Sequence, residues 1–307
     1  MAIERARVVS HSKPWGVVET RPWSDAADGT ELIGELSFER SGAAASTPTL
    51  LLKVLFTSAA LSIQVHPDDD YARSIGLPNG KSEAWYVLSA GPDAKVAVGL
   101  KKPITRDQLR QAIADGGIAE LVSWRPVKAR DIVDVPAGTI HAIGADVVIV
   151  EIQQRSDATF RLFDYGRDRP LHVDHALAMS TADVAPSDAQ SVRASPERTA
   201  LVVNPHFCFE RVSLAPESVW SLNAMRETWL FVVGGKARVG PIDVARGDAV
   251  FGQGECPEVR AGGTGVEFLI AYTGDGGALE ELLVPISSVA KRVAKQTTRN
   301  VQIGVGQ

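Results

Sequence analysis

The chain has 307 residues, 45% of them hydrophobic and 22% charged, with a formal net charge of −5 at pH 7. This balance is ordinary for a globular protein and argues against nucleic acid as a partner, because phosphate backbones need a concentrated basic surface. No run reaches the roughly 18 apolar residues that would cross a bilayer, and the N-terminus lacks the apolar core of a signal peptide. With only two cysteines, Cys208 and Cys256, outside any paired motif, we expect a cytoplasmic protein that does not bind membranes.

Short runs rich in Val, Ile, Leu, Thr and Phe predict strands through the first half of the chain, with Gly, Pro, Asp or Asn between them. These predicted strands are Thr49–Phe56, Ser62–Val65, Glu83–Leu88, Ala94–Gly99, Asp131–Val135, Val147–Gln153 and Thr159–Phe163. Helical patterns are few: Thr105–Ala114, which Thr105 would cap, and the short segment Val173–Met179. The spacing is typical of a β-sandwich or barrel rather than of alternating βαβ units.

A polar segment rich in Pro, Ser and Ala, from Ala182 to Arg198, predicts a linker or a long surface loop. Beyond it the strand pattern resumes, over Phe207–Val212, Thr228–Val233, Lys236–Val239, Ala249–Phe251 and Glu267–Tyr272. We therefore predict two β domains joined near residue 190: residues 1–190, with a small helical insertion near 103–120, and residues 191–307. The tail after Pro285 is predicted to be a charged, solvated segment, to which no function is assigned. It carries the basic residues Lys291, Arg292, Lys295 and Arg299.

The segment Leu61–Tyr86 contains two pairs of polar residues, Gln64 with His66 and Lys81 with Glu83. Residues two apart on a strand share a face, so two neighbouring strands would direct these four side chains into one space. Such a space could hold a divalent metal next to a cation.

His141 follows a predicted tight turn at Pro136–Thr139 and begins a further strand, which makes it a candidate to complete that site. The resulting donor set has two nitrogens and two oxygens and suits Zn²⁺ best; it consists of Gln64, His66, Glu83 and His141. The simpler alternative is that each of these residues is a buried polar group satisfied by neighbouring hydrogen bonds.

Arg161 lies on the predicted inward face of its strand, where an arginine needs an anionic partner. That partner is either a ligand or a structural ion pair with Glu151 or Asp157. His172 and His175 lie three apart on the second predicted helix, a spacing that can bind metal. We expect them instead to be two solvated imidazoles on a surface helix.

Four ordered segments strongly resemble the type I mannose-6-phosphate isomerases, also called phosphomannose isomerases: QVHPDDDYA, GKSEAWYVL, VPAGTIHAIG and EIQQRSDATFRLFDYGR. The resemblance runs from about residue 15 to residue 180 and continues more loosely to the end, with the length of the short bacterial form. It implies a mainly β protein of two cupin-type β-sandwich or barrel (jelly-roll) domains with a few short helices. The first domain would be catalytic, and the second would keep the fold without the metal ligands.

The resemblance also implies a reaction, the interconversion of mannose 6-phosphate and fructose 6-phosphate through an enediol. One Zn²⁺ per chain would be bound by Gln64, His66, Glu83 and His141. Lys81 and Arg161 would be the catalytic residues, and Lys81, beside the metal, is expected to have a lowered pKa. Two alternatives stay open: another metal-dependent cupin enzyme such as an oxygenase, or a non-catalytic sugar-phosphate-binding cupin. The general base, the exact sugar specificity and the oligomeric state are not determined.

Overall fold

A computed structural model describes residues 2–25, 30–42, 46–184, 191–274 and 281–286. Within these residues the chain is mainly β, with a few short helices, as the sequence predicted. The segment 185–190, where the predicted domain boundary falls, lies outside the described residues, as does the basic tail from residue 287 onward. The division into two domains therefore stays a prediction.

Strands dominate the described chain from end to end. Up to residue 184 the strands are β1 (Ala2–Arg5), β2 (Arg7–Val17), β3 (Ile33–Glu39), β4 (Leu50–Thr57), β5 (Ile63–Val65), β6 (Glu83–Ala90), β7 (Lys95–Leu100), β8 (Val122–Pro126), β9 (Ile132–Val135), β10 (His141–Ile143), β11 (Val147–Gln154) and β12 (Phe160–Phe163). The helices in this part are α1 (Asp69–Ser74), α2 (Arg106–Asp115), α3 (Ile118–Leu121) and α4 (Val173–Met179). After residue 190 the strands are β13 (Val192–Arg193), β14 (Arg198–Val203), β15 (Phe207–Leu214), β16 (Val219–Leu222), β17 (Thr228–Val239), β18 (Ile242–Ala245), β19 (Ala249–Gln253), β20 (Glu258–Thr273) and β21 (Leu283–Pro285).

Two antiparallel sheets face each other in the first half of the chain. One has six strands in the order β2-β3-β4-β11-β6-β9, and the other has five in the order β12-β5-β10-β7-β8. Apolar side chains of the six-stranded sheet, such as Trp85 and Ile149, pack between the sheets against Val96 and Val98 of the five-stranded sheet. This sandwich provides the frame in which the polar residues of the site are held.

The helices cover the outer face of the five-stranded sheet. Leu109 of α2 and Leu177 of α4 pack in one cluster with Ile63 and Leu162 of that sheet. Helix α2 begins after Thr105 with a capping box, in which the Thr105 hydroxyl accepts from the Gln108 backbone N–H and the Gln108 side chain accepts from the Thr105 N–H. The predicted helical insertion and its N-cap are therefore confirmed.

The third sheet has ten strands, β1 together with β13 to β21. One of its faces packs on the six-stranded sheet, where Trp229 and Phe231 meet Phe38 and Tyr86 in a shared apolar cluster. A second cluster, which includes Val212, lies on its opposite face. The first strand of the chain thus pairs with a sheet built otherwise from the second half, at β19.

The sequence predicted most strands of the first half to within two residues. It split one strand of the second half and missed several strands in both halves. The segments Thr228–Val233 and Lys236–Val239 form the single strand β17, whose register shifts near Gly234 and Gly235. In the first half, the strands that were missed are β1, β2, β3 and β8. Strand β2 alternates between exposed and partly buried positions along most of its length and lacks an apolar run. No helix in the described ranges is long and apolar enough to cross a membrane.

Candidate metal centre and catalytic cavity

The backbone around His66 connects two of the sequence motifs. The His66 carbonyl accepts from Gly138 N at 2.8 Å, and the Pro67 carbonyl accepts from Lys81 N at 2.9 Å. Gly138 has φ of 82°, a left-handed conformation that glycine adopts at little cost. At Gly80 an added Cβ would lie 2.5 Å from the Pro67 carbonyl oxygen, so only glycine allows this close approach. The two glycines bring Lys81 and the turn before His141 against His66.

The acidic run after His66 is structural. Asp68 caps helix α1 and accepts from Tyr71 N at 2.7 Å. Asp69 Oδ1 accepts from Gly80 N at 2.8 Å and from Gln154 Nε2 at 2.9 Å. These bonds attach the start of α1 to the segment that carries Lys81.

His66, Glu83 and His141 form a buried cluster between the two facing sheets. Each is 1% exposed, and one potential ligand atom from each lies within 4.8 Å of the others. His66 Nε2 lies 3.3 Å from Glu83 Oε2, and His141 Nε2 lies 3.6 Å from Glu83 Oε1. The residues come from both sheets, with Glu83 on β6 and His141 on β10. The expectation that neighbouring strands of one sheet supply them was wrong in this respect.

Both imidazoles present their Nε2 lone pairs to the cluster. His66 Nδ1 lies 2.8 Å from the Ala158 carbonyl, and His141 Nδ1 lies 2.9 Å from the Thr139 carbonyl. A carbonyl can only accept, so Nδ1 is the protonated nitrogen in each ring. This arrangement of a second hydrogen-bond partner behind each imidazole is typical of metal-binding histidines. The two rings therefore fit a divalent metal that shares Glu83.

Gln64 lies beside this cluster, directly opposite His141 in the pairing of β5 with β10. Its Nε2 lies 3.3 Å from His141 Nε2, while its Oε1 accepts from Ser62 Oγ at 2.9 Å. A half-turn of the amide would exchange the two atoms and present the oxygen to the cluster. The structure thus brings together all four of the predicted metal ligands.

The charge states of the cluster also suit a metal. Burial lowers the pKa of His141 to about 3 and, together with Lys81, lowers that of His66, so both rings are neutral near pH 7. Burial raises the pKa of Glu83. The opposing effects of Lys81 and His66 are larger and hold this pKa well below its ordinary value. Neutral imidazole and ionised carboxylate are the forms that bind metals.

Lys81 lies inside the cluster as a buried cation. Its Nζ donates to Glu83 Oε2 at 2.5 Å and to His66 Nε2 at 3.0 Å. Burial lowers the pKa of Lys81, but Glu83 and Glu151 together outweigh that effect and raise the pKa above its ordinary value. The lowered pKa expected from the sequence was for Lys81 beside a bound metal, and it stays a prediction for the metal-loaded site.

A second carboxylate, Glu151, is linked to the cluster through Trp85 and was missed by the sequence interpretation. Trp85 Nε1 is shared between Glu83 Oε1 at 3.0 Å and Glu151 Oε2 at 3.2 Å. Burial, reinforced by Glu83, raises the pKa of Glu151 to about 7. Lys53 Nζ lies 3.8 Å from Glu151 and 3.7 Å from Glu35. The signal that could have revealed this pair is one charged residue inside each of two otherwise uncharged strands, Lys53 in β4 and Glu151 in β11.

A cavity of about 970 Å³ opens beside the cluster, and Gln64, Lys81 and Glu83 are part of its wall. Six cationic and five anionic side chains line it: Lys13, Lys53, Lys81, Arg155, Arg161 and Arg169, with Glu35, Glu39, Glu83, Glu151 and Asp157. A space of this size can contain a small polar ligand.

Arg161 lines the same cavity, opposite Gln64 in the pairing of β12 with β5. Of the two alternatives left open for Arg161, the structural ion pair with Glu151 or Asp157 is not formed: within the described residues Arg161 has no carboxylate at salt-bridge distance, and its buried Nε has no hydrogen-bond partner. His172 also lines the cavity, whereas His175 packs against Phe160. The expectation of two solvated imidazoles on a surface helix was therefore wrong.

No protein-family model matches the chain. A mannose-6-phosphate isomerase of Streptococcus mutans is 40% identical over 167 residues, which cover 52% of each chain. The crystal structure of the mannose 6-phosphate isomerase from Bacillus subtilis has a TM-score of 0.78 at 22% identity and covers 89% of this chain and 100% of its own. The chain has the fold of the mannose 6-phosphate isomerases. A zinc-bound mannose 6-phosphate isomerase structure also matches, with a TM-score of 0.70 at 15% identity, over 89% of this chain and all of its own.

These comparisons confirm the predicted fold class and the resemblance to the phosphomannose isomerases. In sequence, however, the chain spans only about half the length of the curated relatives it matches. The likeness in fold extends further than the likeness in sequence, because it covers the whole length of the Bacillus subtilis protein.

Proposed function

We propose that this protein is a metal-dependent aldose–ketose isomerase that interconverts mannose 6-phosphate and fructose 6-phosphate. The observation that carries the proposal is the convergence of two Nε2 lone pairs, from His66 and His141, on the ionised Glu83 at the wall of a large polar cavity. The names of the relatives favour this reaction over an oxygenase or a non-catalytic sugar-phosphate-binding protein.

We propose that one Zn²⁺ is bound by Gln64, His66, Glu83 and His141. The set of two imidazoles, one carboxylate and one amide fits this metal by its chemistry and by the second hydrogen bond behind each imidazole. When bound, the metal supplies Lewis-acid stabilisation of the negative charge that grows on the sugar oxygens.

The chain's own residues would carry the remaining steps. Lys81 holds a proton at Nζ on the cavity wall and can donate it to a sugar oxygen as the enediol forms. Arg161 supplies an unpaired guanidinium in the same cavity, which can stabilise an anionic oxygen or contact the phosphate. Trp85 keeps Glu83 in place through its indole N–H, which limits the motion of a ligand carboxylate.

A coupled isomerase assay on the purified protein tests the proposal. Turnover of mannose 6-phosphate should disappear on chelation and return when Zn²⁺ is added back, and the variant Glu83→Gln should not recover under the same treatment. Absence of turnover with every added divalent metal would reject the function. A cytoplasmic location, and the absence of nucleic acid and membrane partners, stay predictions of the sequence.

A further inference from the structure

His172 is held at the cavity wall by two bonds to the backbone of Arg161. His172 N donates to the Arg161 carbonyl at 2.8 Å, and Arg161 N donates to His172 Nδ1 at 3.1 Å. Because Nδ1 accepts, the proton of the neutral ring is on Nε2. His172 Nε2 has no hydrogen-bond partner within the described part of the chain, so it is a donor left for a ligand.

Aromatic neighbours fix the orientation of this ring. Phe160 meets His172 edge-on, with ring centroids 5.7 Å apart. Phe160 is itself stacked on His175 at 4.5 Å, and His175 Nδ1 is bonded to Tyr71 Oη at 2.9 Å. The donor is therefore held in place before any ligand arrives, which lowers the entropic cost of binding.

Arg161 differs from the lysines of the cavity wall. Lys13 and Lys81 each contact a carboxylate, at 3.2 Å to Glu35 and 2.5 Å to Glu83. Arg161 contacts none within the described residues, and its buried Nε has no partner. Leaving a guanidinium nitrogen withdrawn from solvent without an acceptor is costly, so an anionic ligand is the most direct explanation.

The surroundings of Arg161 carry a surplus of positive charge. Arg169 donates to Asp164 through two nitrogens, and Arg167 contacts the same carboxylate at 3.1 Å, so two arginines share one anion. Burial and the nearby Arg169 lower the pKa of Arg161. Burial, Arg161 and His175 lower the pKa of His172 and keep its ring neutral.

We propose that Arg161, His172 and Arg169 form the subsite for the phosphoryl group of the sugar phosphate, with His172 Nε2–H as a directional donor beside the two guanidinium groups. The inference rests on the proposed function. Arg161 lies opposite Gln64, one strand spacing or roughly 5 Å away, and His172 lies on the far side of Arg161 from Gln64. A six-carbon chain with its first two oxygens at the metal cluster would place its terminal phosphate in this direction.

Two substitutions of His172 separate a ligand contact from a structural role. The asparagine amide oxygen can accept from Arg161 N as His172 Nδ1 does, but the side chain does not reach the position of Nε2. Glutamine can replace the distal donor but loses the near acceptor. We would measure kcat and KM for mannose 6-phosphate, and binding of inorganic phosphate by calorimetry, on the zinc-loaded full chain.

We expect His172→Asn to raise both the KM and the dissociation constant for inorganic phosphate by about tenfold, the loss of a hydrogen bond to a charged group. The kcat and the zinc content should stay near wild type. His172→Gln should remain within about threefold of wild type in both constants. His206→Gln, a matched control at a histidine that does not line the cavity, should not change phosphate binding.

An unchanged phosphate affinity in His172→Asn would overturn the proposed subsite. A weaker phosphate affinity in His172→Gln than in His172→Asn would overturn it as well. Should the His172 variants fail to fold, Arg161→Gln decides, because an unchanged phosphate affinity there also rejects the proposal. Failure of the proposed function gives a different result. In that case phosphate binds and depends on His172, but mannose 6-phosphate is not turned over. If turnover is normal and His172→Asn has no effect, the isomerase function stands and the subsite is wrong.

Discussion

Lys81 Nζ lies 2.5 Å from Glu83 Oε2, and both side chains are almost completely excluded from solvent. Each residue depends on the other, because a buried charge without its partner is strongly destabilising. Glu83 also belongs to the proposed metal site, and Lys81 is the proposed proton donor. Substitutions at Lys81 therefore test whether these two roles can be separated.

Replacing Lys81 by methionine should lower kcat about 100-fold or more, the usual effect of removing an acid–base group, while zinc remains near one per chain. Methionine keeps most of the side-chain volume and leaves Glu83 free to bind the metal. Kinetic assays and metal analysis of the same preparation check this. The control is Lys95→Met, because Lys95 lies on β7 against Trp124 outside the cavity. Loss of zinc together with activity would contradict the non-ligand role of Lys81.

Gln64 should behave as the fourth ligand. Gln64→Leu is expected to weaken Zn²⁺ binding by about 10- to 100-fold or more, measured by competition with a chelator of known affinity. Ser62→Ala removes only the hydroxyl that donates to Gln64 Oε1 and should cost less than Gln64→Leu. An unchanged zinc affinity in Gln64→Leu would leave a site of three protein ligands, His66, Glu83 and His141.

Glu227, which directly precedes β17, should be important for stability. Its buried carboxylate accepts from Thr49 N at 2.7 Å, Thr49 Oγ1 at 2.8 Å, Leu50 N at 2.8 Å and Trp229 Nε1 at 3.2 Å. Glu227→Ala leaves these donors unpaired and should lower the free energy of unfolding by about 3 kcal/mol or more.

Thr49→Val serves as the graded control for Glu227, because it removes only the hydroxyl bond and should cost about 1 kcal/mol. Urea unfolding of both variants measures the difference. A loss below about 0.5 kcal/mol in Glu227→Ala would place the bonds in the range of ordinary surface contacts and contradict the prediction.

Asp134 should make the protein less stable at high pH. Burial raises the pKa of Asp134 from 3.8 to about 6. The hydrogen bond that its carboxylate accepts from Val135 N has a smaller, opposing effect. Asp134 Oδ1 has no hydrogen-bond partner. A carboxyl with a higher pKa in the folded state costs stability once it ionises, so the cost is absent below about pH 4 and complete above about pH 6. Asp134→Asn should therefore raise the free energy of unfolding at pH 8 by about 1–2 kcal/mol.

Urea unfolding of Asp134→Asn at pH 8 and at pH 4 checks the sign, since the gain should fade at the lower pH. Asp93→Asn, on an exposed turn, is the control. An equal gain at both pH values would mean that the effect does not come from ionisation of Asp134.

The identities of the cluster residues could be predicted from the sequence because motif spacing reflects local backbone geometry. Gln64 and His66 are two apart, as are Lys81 and Glu83, and each pair does turn to one side. The partners of isolated side chains could not be predicted this way. Arg161 was given two carboxylates near in sequence, yet Glu151 contacts Lys53 instead, because sheet pairing and not chain distance decides which charges meet.

His172 shows the same limit. Its place on a short helix predicted exposure, and α4 does form where expected. Only the packing of α4 on the five-stranded sheet brings His172 to the cavity wall and binds its Nδ1 to Arg161 N.

The sequence by itself determined the β-rich class, the helix at Thr105 with its cap, and the set of four candidate ligands, since these follow from side-chain period, capping chemistry and motif spacing. The tertiary structure alone decided that β5 and β6 belong to facing sheets, that Glu151 joins the cluster through Trp85, and that Lys81 has a raised pKa. These features depend on burial and on charges from distant strands, and both exist only once the two sheets have closed on each other.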